Sequence, residues 1–205
     1  MPSILFMKQC INYETVVFEQ LANYQRSSYF NRAYIAGANG KQRLSIPLKG
    51  GSRQKKMINE IAIDNTVKWQ RIHWQSILSA YAKSAYFEYY EPELKLLYQQ
   101  PIDNLFDWNI NLIKLLFKLL NSTLKHSFTK NYVTKFKVKD EVLDWRNTIR
   151  PNMSLAAIEF APYYQLFQEK NGFIFNLSVL DVLFSEGPNA LAKIKSTKYN
   201  NISTT

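Results

Sequence analysis

The chain has 205 residues, of which 46% are apolar and 15% aromatic, so it can bury a full-sized core and is most simply one domain. Its 26 basic and 16 acidic side chains give a net charge of +10, which favours anionic partners. The charge lies in small scattered groups that predict no single patch. This composition excludes a disordered or fibrous protein.

Neither membrane insertion nor secretion is predicted. The longest strongly apolar run, residues 112–120, is interrupted by Lys114 and Lys118 and is too short to span a bilayer. No signal peptide is recognisable, which predicts a cytoplasmic protein. Cys10 is the single cysteine, so no disulfide framework or cysteine metal site is predicted, and a small buried side chain is favoured.

The first predicted strand covers residues 15–18, which are β-branched and aromatic. An apolar segment too short to classify precedes it, and Glu19 follows it beside a polar cluster. The Glu19 carboxylate could orient Arg26 or Arg32 through a bidentate pair. It could equally be a solvent-exposed acid at the end of a strand.

Residues 24–48 hold the clearest local signals. Asn39-Gly40 accepts positive φ at both turn positions and lies between two β-rich runs, residues 32–36 and 42–48, which predicts a hairpin. Polar groups cluster just before it, on Gln25, Arg26, Ser27, Ser28, Tyr29, Asn31 and Arg32. Such a cluster can grip a polar ligand, and it is equally consistent with a solvated loop that enters a strand.

A basic loop follows at residues 49–56, and its Gly50-Gly51 pair lacks the spacing of a phosphate-binding loop. Residues 60–63 alternate like a strand. A helix is predicted over residues 67–83, with N-cap side chains at residues 64–66. Its apolar spacing places His73 on the inward face and Tyr81 on the adjoining stripe. His73 is therefore either a hydrogen-bonded core residue or a catalyst.

Residues 84–92 contain three tyrosines and two glutamates before Pro92, which fits the first turn of the next helix. Glu88 and a neighbouring tyrosine could supply an acid or base and a phenol donor to a sugar-like substrate, whereas the alternative is aromatic packing. A helix is then predicted from Asp103 to residue 120, buried on nearly every side from residue 112. On it, Asn109 either fixes a neighbouring backbone or lines a pocket.

The C-terminal half is predicted to be rich in helix. An edge strand is predicted over residues 132–138, which alternate between polar and apolar side chains. Asp144 could cap a short helix. A helical turn is predicted at residues 163–167, ended by Asn171-Gly172, and an apolar helix at residues 177–185. The fold class is α/β, with one small mixed sheet in the N-terminal third, from residues 15–18, 32–36, 42–48 and 60–63, packed by helices. A single domain of residues 1–194 and a disordered tail of residues 195–205 are expected.

Several of these stretches together resemble a known family. Residues 19–48 read E-x-x-x-x-Y-Q-R-S-S-Y-x-N-R followed by A-N-G-x-x-x-L-S-I-P, and further matching stretches follow in order at residues 61–64, 69–74, 77–81, 86–90, 144–149 and 172–188. In these stretches the chain is similar to the WbqC-like protein family over nearly its whole length. Family members usually begin with a short apolar strand and a Tyr-(Phe/Leu)-Pro segment, so the first family strand is expected to be missing here.

The resemblance implies a role in bacterial O-antigen and surface-polysaccharide biosynthesis. The candidate reaction that it implies is aminoacyl (glycine) or related group transfer to a sugar. The implied partners are an anionic small molecule or sugar phosphate and an aminoacyl donor. Family members also have a histidine at the position of His73.

Common hydrolase signatures are absent, since the sequence has no H-E-x-x-H, no G-x-S-x-G and no paired cysteines, and its two histidines lie far apart. No metal site is predicted and no cofactor is identified. What remains is a set of Arg, Asn, Gln and Tyr side chains with one candidate histidine. The candidate residues are His73 and Glu19 for catalysis, and Gln25, Arg26, Tyr29, Asn31, Arg32, Tyr81, Glu88, Asn109 and Arg146 for substrate binding.

Two functions are consistent with these residues. In the first, a transferase binds an anionic donor through Arg26 and Arg32, with His73 as general base and Tyr29, Asn31 and Tyr81 positioning the acceptor. In the second, a non-catalytic module binds RNA or an acidic partner, with weak and nonspecific nucleic-acid affinity. A pocket where His73 and Arg32 converge would favour the first function, and a clustered basic face with exposed aromatic rings would favour the second.

Overall fold

The structure, a computed structural model, describes residues 1–136 and 142–199. It mixes helices with short strands, as predicted for an α/β fold. In chain order the elements are α1 (Ile4–Asn12), β1 (Val16–Phe18), β2 (Arg32–Gly37), β3 (Gly40–Ser45), a 3₁₀ turn (Ile58–Glu60), α2 (Trp69–Tyr81), α3 (Phe87–Gln99), α4 (Leu105–Leu119), β4 (His126–Phe128), β5 (Ile158–Glu159), α5 (Gln168–Asn171), α6 (Val179–Glu186), a 3₁₀ turn (Gly187–Asn189), α7 (Ala190–Ser196) and β6 (Lys198–Tyr199).

The prediction of a single N-terminal sheet is wrong. Within the described residues, the strands pair into three separate two-stranded sheets: β1 with β4, β2 with β3, and β5 with β6. β1 runs parallel to β4, with Val16 opposite His126, instead of joining the hairpin. Residues 60–63 contribute only isolated bridges, such as Leu48 to Ile63. Three-residue strands carry too little pattern to specify a partner far along the chain.

The hairpin of β2 and β3 is confirmed. Arg32 lies opposite Ser45 and Gly37 opposite Gly40, so the loop is Ala38-Asn39 and only Gly40 has a positive φ, of 101°. The turn therefore lies one residue earlier than the Asn39-Gly40 pair that the sequence indicated. Because side chains alternate across a strand, one face of the hairpin carries the core residues and the other carries basic residues. The core residues are Ala33, Ile35 and Leu44.

The N-terminal segment that local pattern left unclassified is a helix, α1. The Ser3 hydroxyl caps it by accepting a hydrogen bond from the Phe6 backbone N–H at 3.4 Å. Leu5 and Met7 on its inner face are fully buried. The helix is joined to the start of α6 by the backbone N–H of Ile4, which donates to the Leu177 carbonyl at 3.0 Å.

Three predicted helix starts shift. α2 begins at Trp69 instead of residue 67, because the Asp64 carboxylate accepts the Thr66 N–H at 3.1 Å in a tight turn before the helix. α3 already begins at Phe87, so Pro92 lies inside it and not in its first turn. α4 is capped by Asn104, whose side-chain oxygen accepts the Phe106 N–H at 2.8 Å, and not by Asp103.

The C-terminal half also departs from the predictions. Residues 132–136 form no strand, and the rest of the predicted 132–138 strand extends beyond the described residues. Asp144 begins no helix and instead accepts the Arg146 N–H at 2.9 Å. The helical turn lies at α5, slightly after residues 163–167, and ends as predicted at Gly172, with φ 69°. Within the segment expected to be a tail, residues 195–196 lie in α7 and residues 198–199 form β6; residues 200–205 lie outside the described part.

The core is centred on α4, as its apolar sequence predicts. Leu112 and Leu116 are fully buried, whereas Lys114 and Lys118 on the same helix are exposed. Trp108 from this helix stacks edge to face with Trp69 of α2, with ring centroids 5.0 Å apart. Cys10 is buried as expected, and burial raises the pKa of its thiol to about 12, so it is an unreactive core side chain.

Candidate functional site

His73 lies on the inward face of α2, as predicted, and is 5% exposed. Its Nε2 is 3.1 Å from the Ser45 carbonyl oxygen. A carbonyl only accepts hydrogen bonds, so Nε2 carries the proton and Nδ1 is the unprotonated nitrogen. Burial lowers the pKa of His73 to about 4, so the imidazole is neutral near pH 7. The ring packs edge to face on Trp69 at 5.2 Å.

A small cavity of about 10 Å³ adjoins His73. Its wall includes Arg32 and Asn31 as well as His73, so these three predicted site residues do meet here. The cavity has room for about one water molecule, and no sugar phosphate fits in it. Its lining is Met1, Asn31, Arg32, Ala33, Leu44, Ile46, His73, Tyr98 and Trp108.

An open groove of about 280 Å³ lies between β3 and α2, and His73 belongs to its wall too. The groove follows the outer edge of β3, where the pairing with β2 leaves the backbone groups of Arg43 and Ser45 facing away from the hairpin. At one point it is bridged by the Gln42 side-chain amide, which donates to the Ser76 hydroxyl at 3.2 Å. The lining is Gln42, Arg43, Leu44, Ser45, Ile46, Pro47, Val67, Trp69, Ile72, His73 and Ser76.

Asn31 and Asn109 are partnered by the fold itself. The buried Asn31 amide accepts from the Tyr24 hydroxyl at 2.9 Å and donates to the Ile46 carbonyl at 3.0 Å. Asn109 donates to the Phe30 carbonyl at 2.9 Å, which is the backbone-fixing role that the sequence left open. These contacts hold the polar cluster against the hairpin.

The remaining cluster residues lie nearer the surface. Gln25 is half-buried, and its carbonyl accepts from the Ser28 hydroxyl at 2.6 Å. Arg26 is exposed and has no hydrogen bond or ion pair to any described residue. Tyr29 packs edge to face on Tyr34 at 6.1 Å, and burial raises the pKa of its phenol to about 12.

Three cations share the outer face of the hairpin: Arg32, Lys41 and Arg43. We call this set, with Tyr34 at its centre, the basic face. The Lys41 ammonium lies 4.5 Å from the Tyr34 ring centroid. No carboxylate of the described residues pairs with any of the three cations. The reason is visible in the sequence, because residues 20–59 contain eight Lys and Arg and no Asp or Glu.

Tyr81 is part of a buried network that sequence reasoning missed. Its hydroxyl donates to Asp181 Oδ1 at 2.8 Å and accepts the Ala36 N–H at 3.1 Å. Asp181 Oδ2 accepts from the Tyr163 hydroxyl at 2.7 Å and from Gln165 Nε2 at 2.9 Å. Burial raises the pKa of the Asp181 carboxyl. A lone aspartate in an otherwise apolar helix was the signal that could have revealed this network.

Glu19 and Arg146 pair with each other. Arg146 Nη1 lies 3.5 Å from Glu19 Oε2, whereas the sequence left open either a pair with Arg26 or Arg32 or an exposed acid. Glu19 Oε1 accepts from the Leu21 N–H at 2.7 Å and from the Thr129 hydroxyl at 2.8 Å. Neither alternative is observed, because the parallel pairing of β1 with β4 brings Thr129 alongside Glu19 and the carboxylate is largely buried.

Glu88 lies apart from these groups. It is exposed in the first turn of α3 and makes no hydrogen bond or ion pair with the described residues. Of its neighbours, Tyr89 is 77% exposed and Tyr90 is buried. Neither the cavity nor the groove is lined by Glu88.

No set of three His, Cys, Asp or Glu side chains within residues 1–136 and 142–199 is arranged to hold a metal ion. In the same part of the chain, no helix has the length and apolar character needed to cross a bilayer.

Comparisons with known proteins identify the family. A sequence model of the WbqC-like protein family matches residues 1–150, which is most of the chain and includes the hairpin, His73, Glu19 and Arg146. Neither the curated proteins nor the solved structures contain a match. The chain therefore belongs to the WbqC-like protein family.

Proposed function

We propose that this protein is a group-transfer enzyme of bacterial surface-polysaccharide (O-antigen) assembly, and that its basic face binds an anionic sugar phosphate. The observation that carries this proposal is the set of three cations, Arg32, Lys41 and Arg43, that no carboxylate neutralises on the outer face of the hairpin. Unpaired cations on a rigid element attract phosphate strongly, because their charge is not already used in the fold.

The hairpin holds these cations in fixed positions. Its opposite face is anchored by the buried Ile35 and Leu44. Contact with Tyr34 restrains the Lys41 stem, and desolvation there lowers the pKa of Lys41. Arginine adds a planar fork that matches two phosphate oxygens. A preorganised site of this kind loses less entropy on binding than flexible surface lysines would.

The groove beside the basic face suits the acceptor. It adjoins the basic face at Arg43, and its volume of about 280 Å³ is near the lower end of the range for small-molecule sites. In this proposal Nδ1 of His73 accepts a hydrogen bond from an acceptor hydroxyl. With a pKa of about 4, His73 is too weak a base to remove a proton completely at neutral pH, so it orients the acceptor.

The second function, RNA binding, is disfavoured by the surroundings of Tyr34. Sequence-tolerant RNA binding needs exposed aromatic faces on which bases stack. The Tyr34 ring is half-buried, with Lys41 over its face and Tyr29 against it. The basic face therefore offers charge without a free stacking platform.

The proposal is tested by calorimetric titration with glucose 1-phosphate, with glucose as the uncharged comparison. Arg43→Gln should weaken glucose 1-phosphate binding roughly tenfold, because a charge-assisted hydrogen bond is lost. Arg32→Lys should also weaken it, although the charge is kept, because lysine lacks the planar fork. The matched control is Lys95→Gln, an exposed lysine paired with Glu91 on α3, which should bind as wild type does.

A second readout addresses the transfer itself. Each variant is expressed in a deletion strain, and its surface glycans are analysed by mass spectrometry. We expect loss of a glycan substituent with Arg43→Gln and full restoration with Lys95→Gln. Wild-type binding and complementation by both arginine variants, or tight RNA binding abolished by them, would overturn the proposal.

A further inference from the structure

Four apolar side chains stand out on the surface far from the hairpin in sequence. Tyr132 and Leu143 are each 52% exposed, Val142 is 43% exposed and Val133 is 38% exposed. We call these four residues the apolar patch. Isolated exposed apolar residues are normal on proteins, whereas a group of them at one place indicates a contact surface.

Arg146 brings the two halves of the patch together. Its Nη1 donates to the Val133 carbonyl at 2.7 Å, and its guanidinium carbon lies 5.4 Å from the centre of the Tyr132 ring. The same guanidinium forms a fork with Asp144, with Nη2 to Oδ2 at 2.6 Å and Nε to Oδ1 at 2.9 Å. Since Asp144 follows Leu143 directly, Arg146 links the segment that carries Val142 and Leu143 to the segment that carries Tyr132 and Val133.

The surroundings of the patch are positively charged. Residues 125–150, which contain both halves of the patch, carry seven Lys and Arg against three Asp and Glu. Lys130 and Lys135 are exposed and unpaired within the described residues, whereas Lys125 pairs with Glu14 at 2.8 Å. The nearby carboxylates of Asp144 and Glu19 are both directed at Arg146. Among the described residues, the ammonium groups of Lys130 and Lys135 therefore lie beside the apolar patch without an ion pair.

We propose that the apolar patch and its flanking lysines dock this protein on the surface of an anionic lipid bilayer. Aliphatic side chains enter the headgroup boundary, tyrosine is suited to that interface, and lysines bind the acidic headgroups. RNA is a poorer fit, because valine and leucine offer no surface for base stacking. The contact is peripheral and needs no membrane-spanning helix. It is independent of the proposed transfer function, since the patch shares no residue with the basic face.

The test is sedimentation of the whole protein with vesicles of phosphatidylcholine alone or of phosphatidylcholine mixed with phosphatidylglycerol. We expect binding to the mixed vesicles, little binding to phosphatidylcholine, and release by added salt. Removing one lysine, by Lys130→Gln or Lys135→Gln, should weaken binding roughly fivefold. Leu143→Ser should weaken it roughly tenfold through lost apolar burial. The matched controls are Lys95→Gln and Leu96→Ser on α3, because Leu96 is 59% exposed and lies outside the patch.

A variant that is expected to bind more tightly provides a further test, because misfolding would not increase binding. Val133→Trp should bind the mixed vesicles more tightly than wild type, because tryptophan favours the membrane interface. The proposal is overturned if wild type does not bind the mixed vesicles, if Leu96→Ser weakens binding as much as Leu143→Ser, or if Val133→Trp leaves binding unchanged. It is also overturned if a single-stranded oligoribonucleotide binds and Leu143→Ser weakens that binding equally.

Discussion

Replacing Tyr81 with phenylalanine should destabilise the fold far more than the same change at Tyr163, although both hydroxyls bind the same buried aspartate. The Tyr81 hydroxyl makes two contacts that no other group replaces, donating to Asp181 Oδ1 and accepting the Ala36 N–H. The Tyr163 hydroxyl donates to Asp181 Oδ2 and accepts from Gln165 Nε2, but Gln165 also donates to Oδ2 directly, so each partner of this hydroxyl has a second contact.

The expected magnitudes follow from what each change leaves unpaired. Tyr81→Phe leaves a buried backbone N–H and a buried carboxylate oxygen without a hydrogen-bond partner. Each such group costs about 1–3 kcal/mol, so the free energy of unfolding should fall by roughly 2–5 kcal/mol. Tyr163→Phe removes two hydrogen bonds but leaves no group unpaired, because Oδ2 keeps Gln165 as a donor and the Gln165 amide keeps the Ile174 carbonyl and Asp181 as acceptors, so the loss is roughly 1–2 kcal/mol. Neither change creates a large cavity.

The assay is urea unfolding of wild type and the two variants at neutral pH, followed by tryptophan fluorescence. The midpoints should shift while the slope of free energy against urea stays constant, so that the shift reports stability alone. Equal losses in the two variants would refute the reasoning. An unchanged midpoint for Tyr81→Phe together with impaired glucose 1-phosphate binding would instead make Tyr81 a substrate-binding residue.

Two further predictions concern His73 and a glycine. The fold holds the pKa of His73 at about 4 against a usual 6.5, so the unfolded chain alone takes up this proton between those pH values. Wild type should therefore lose up to roughly 3 kcal/mol more stability than His73→Gln as pH falls through this window, since the buried Met1 amino group, with its pKa lowered to about 5, acts equally in both proteins; parallel urea midpoints of the two proteins from pH 7 to 4 would contradict this. Gly187→Ala should cost roughly 2–4 kcal/mol, because its Cβ would lie 2.5 Å from the Tyr86 ring at φ 54°. Gly51→Ala, with φ 74° and open space, should cost only about 1 kcal/mol, and equal urea midpoints for the two variants would disprove the clash.

The hydrophobic pattern of the sequence predicted the structure correctly where that pattern lies within a single helix or hairpin. The hairpin, the buried α4 and the inward face that carries His73 were all predicted, because strand and helix periodicities are set by backbone geometry alone. The excess positive charge of the basic face can also be predicted from the sequence, because residues 20–59 contain no Asp or Glu. What the sequence did not show is that the alternation of β2 and β3 collects Arg32, Lys41 and Arg43 on one face.

Pairings between distant segments were decided by the tertiary structure alone. Glu19 pairs with Arg146, and Asp181 gathers Tyr81 and Tyr163, although nothing in the spacing of these residues connects them. Each residue's partner depends on which surfaces the whole core brings into contact. Short strands such as β1 have several possible partners of similar local quality, and only burial of the complete chain selects one. For this protein the sequence by itself determined the hairpin and the inner faces of α2 and α4, and the packed core determined which side chains meet.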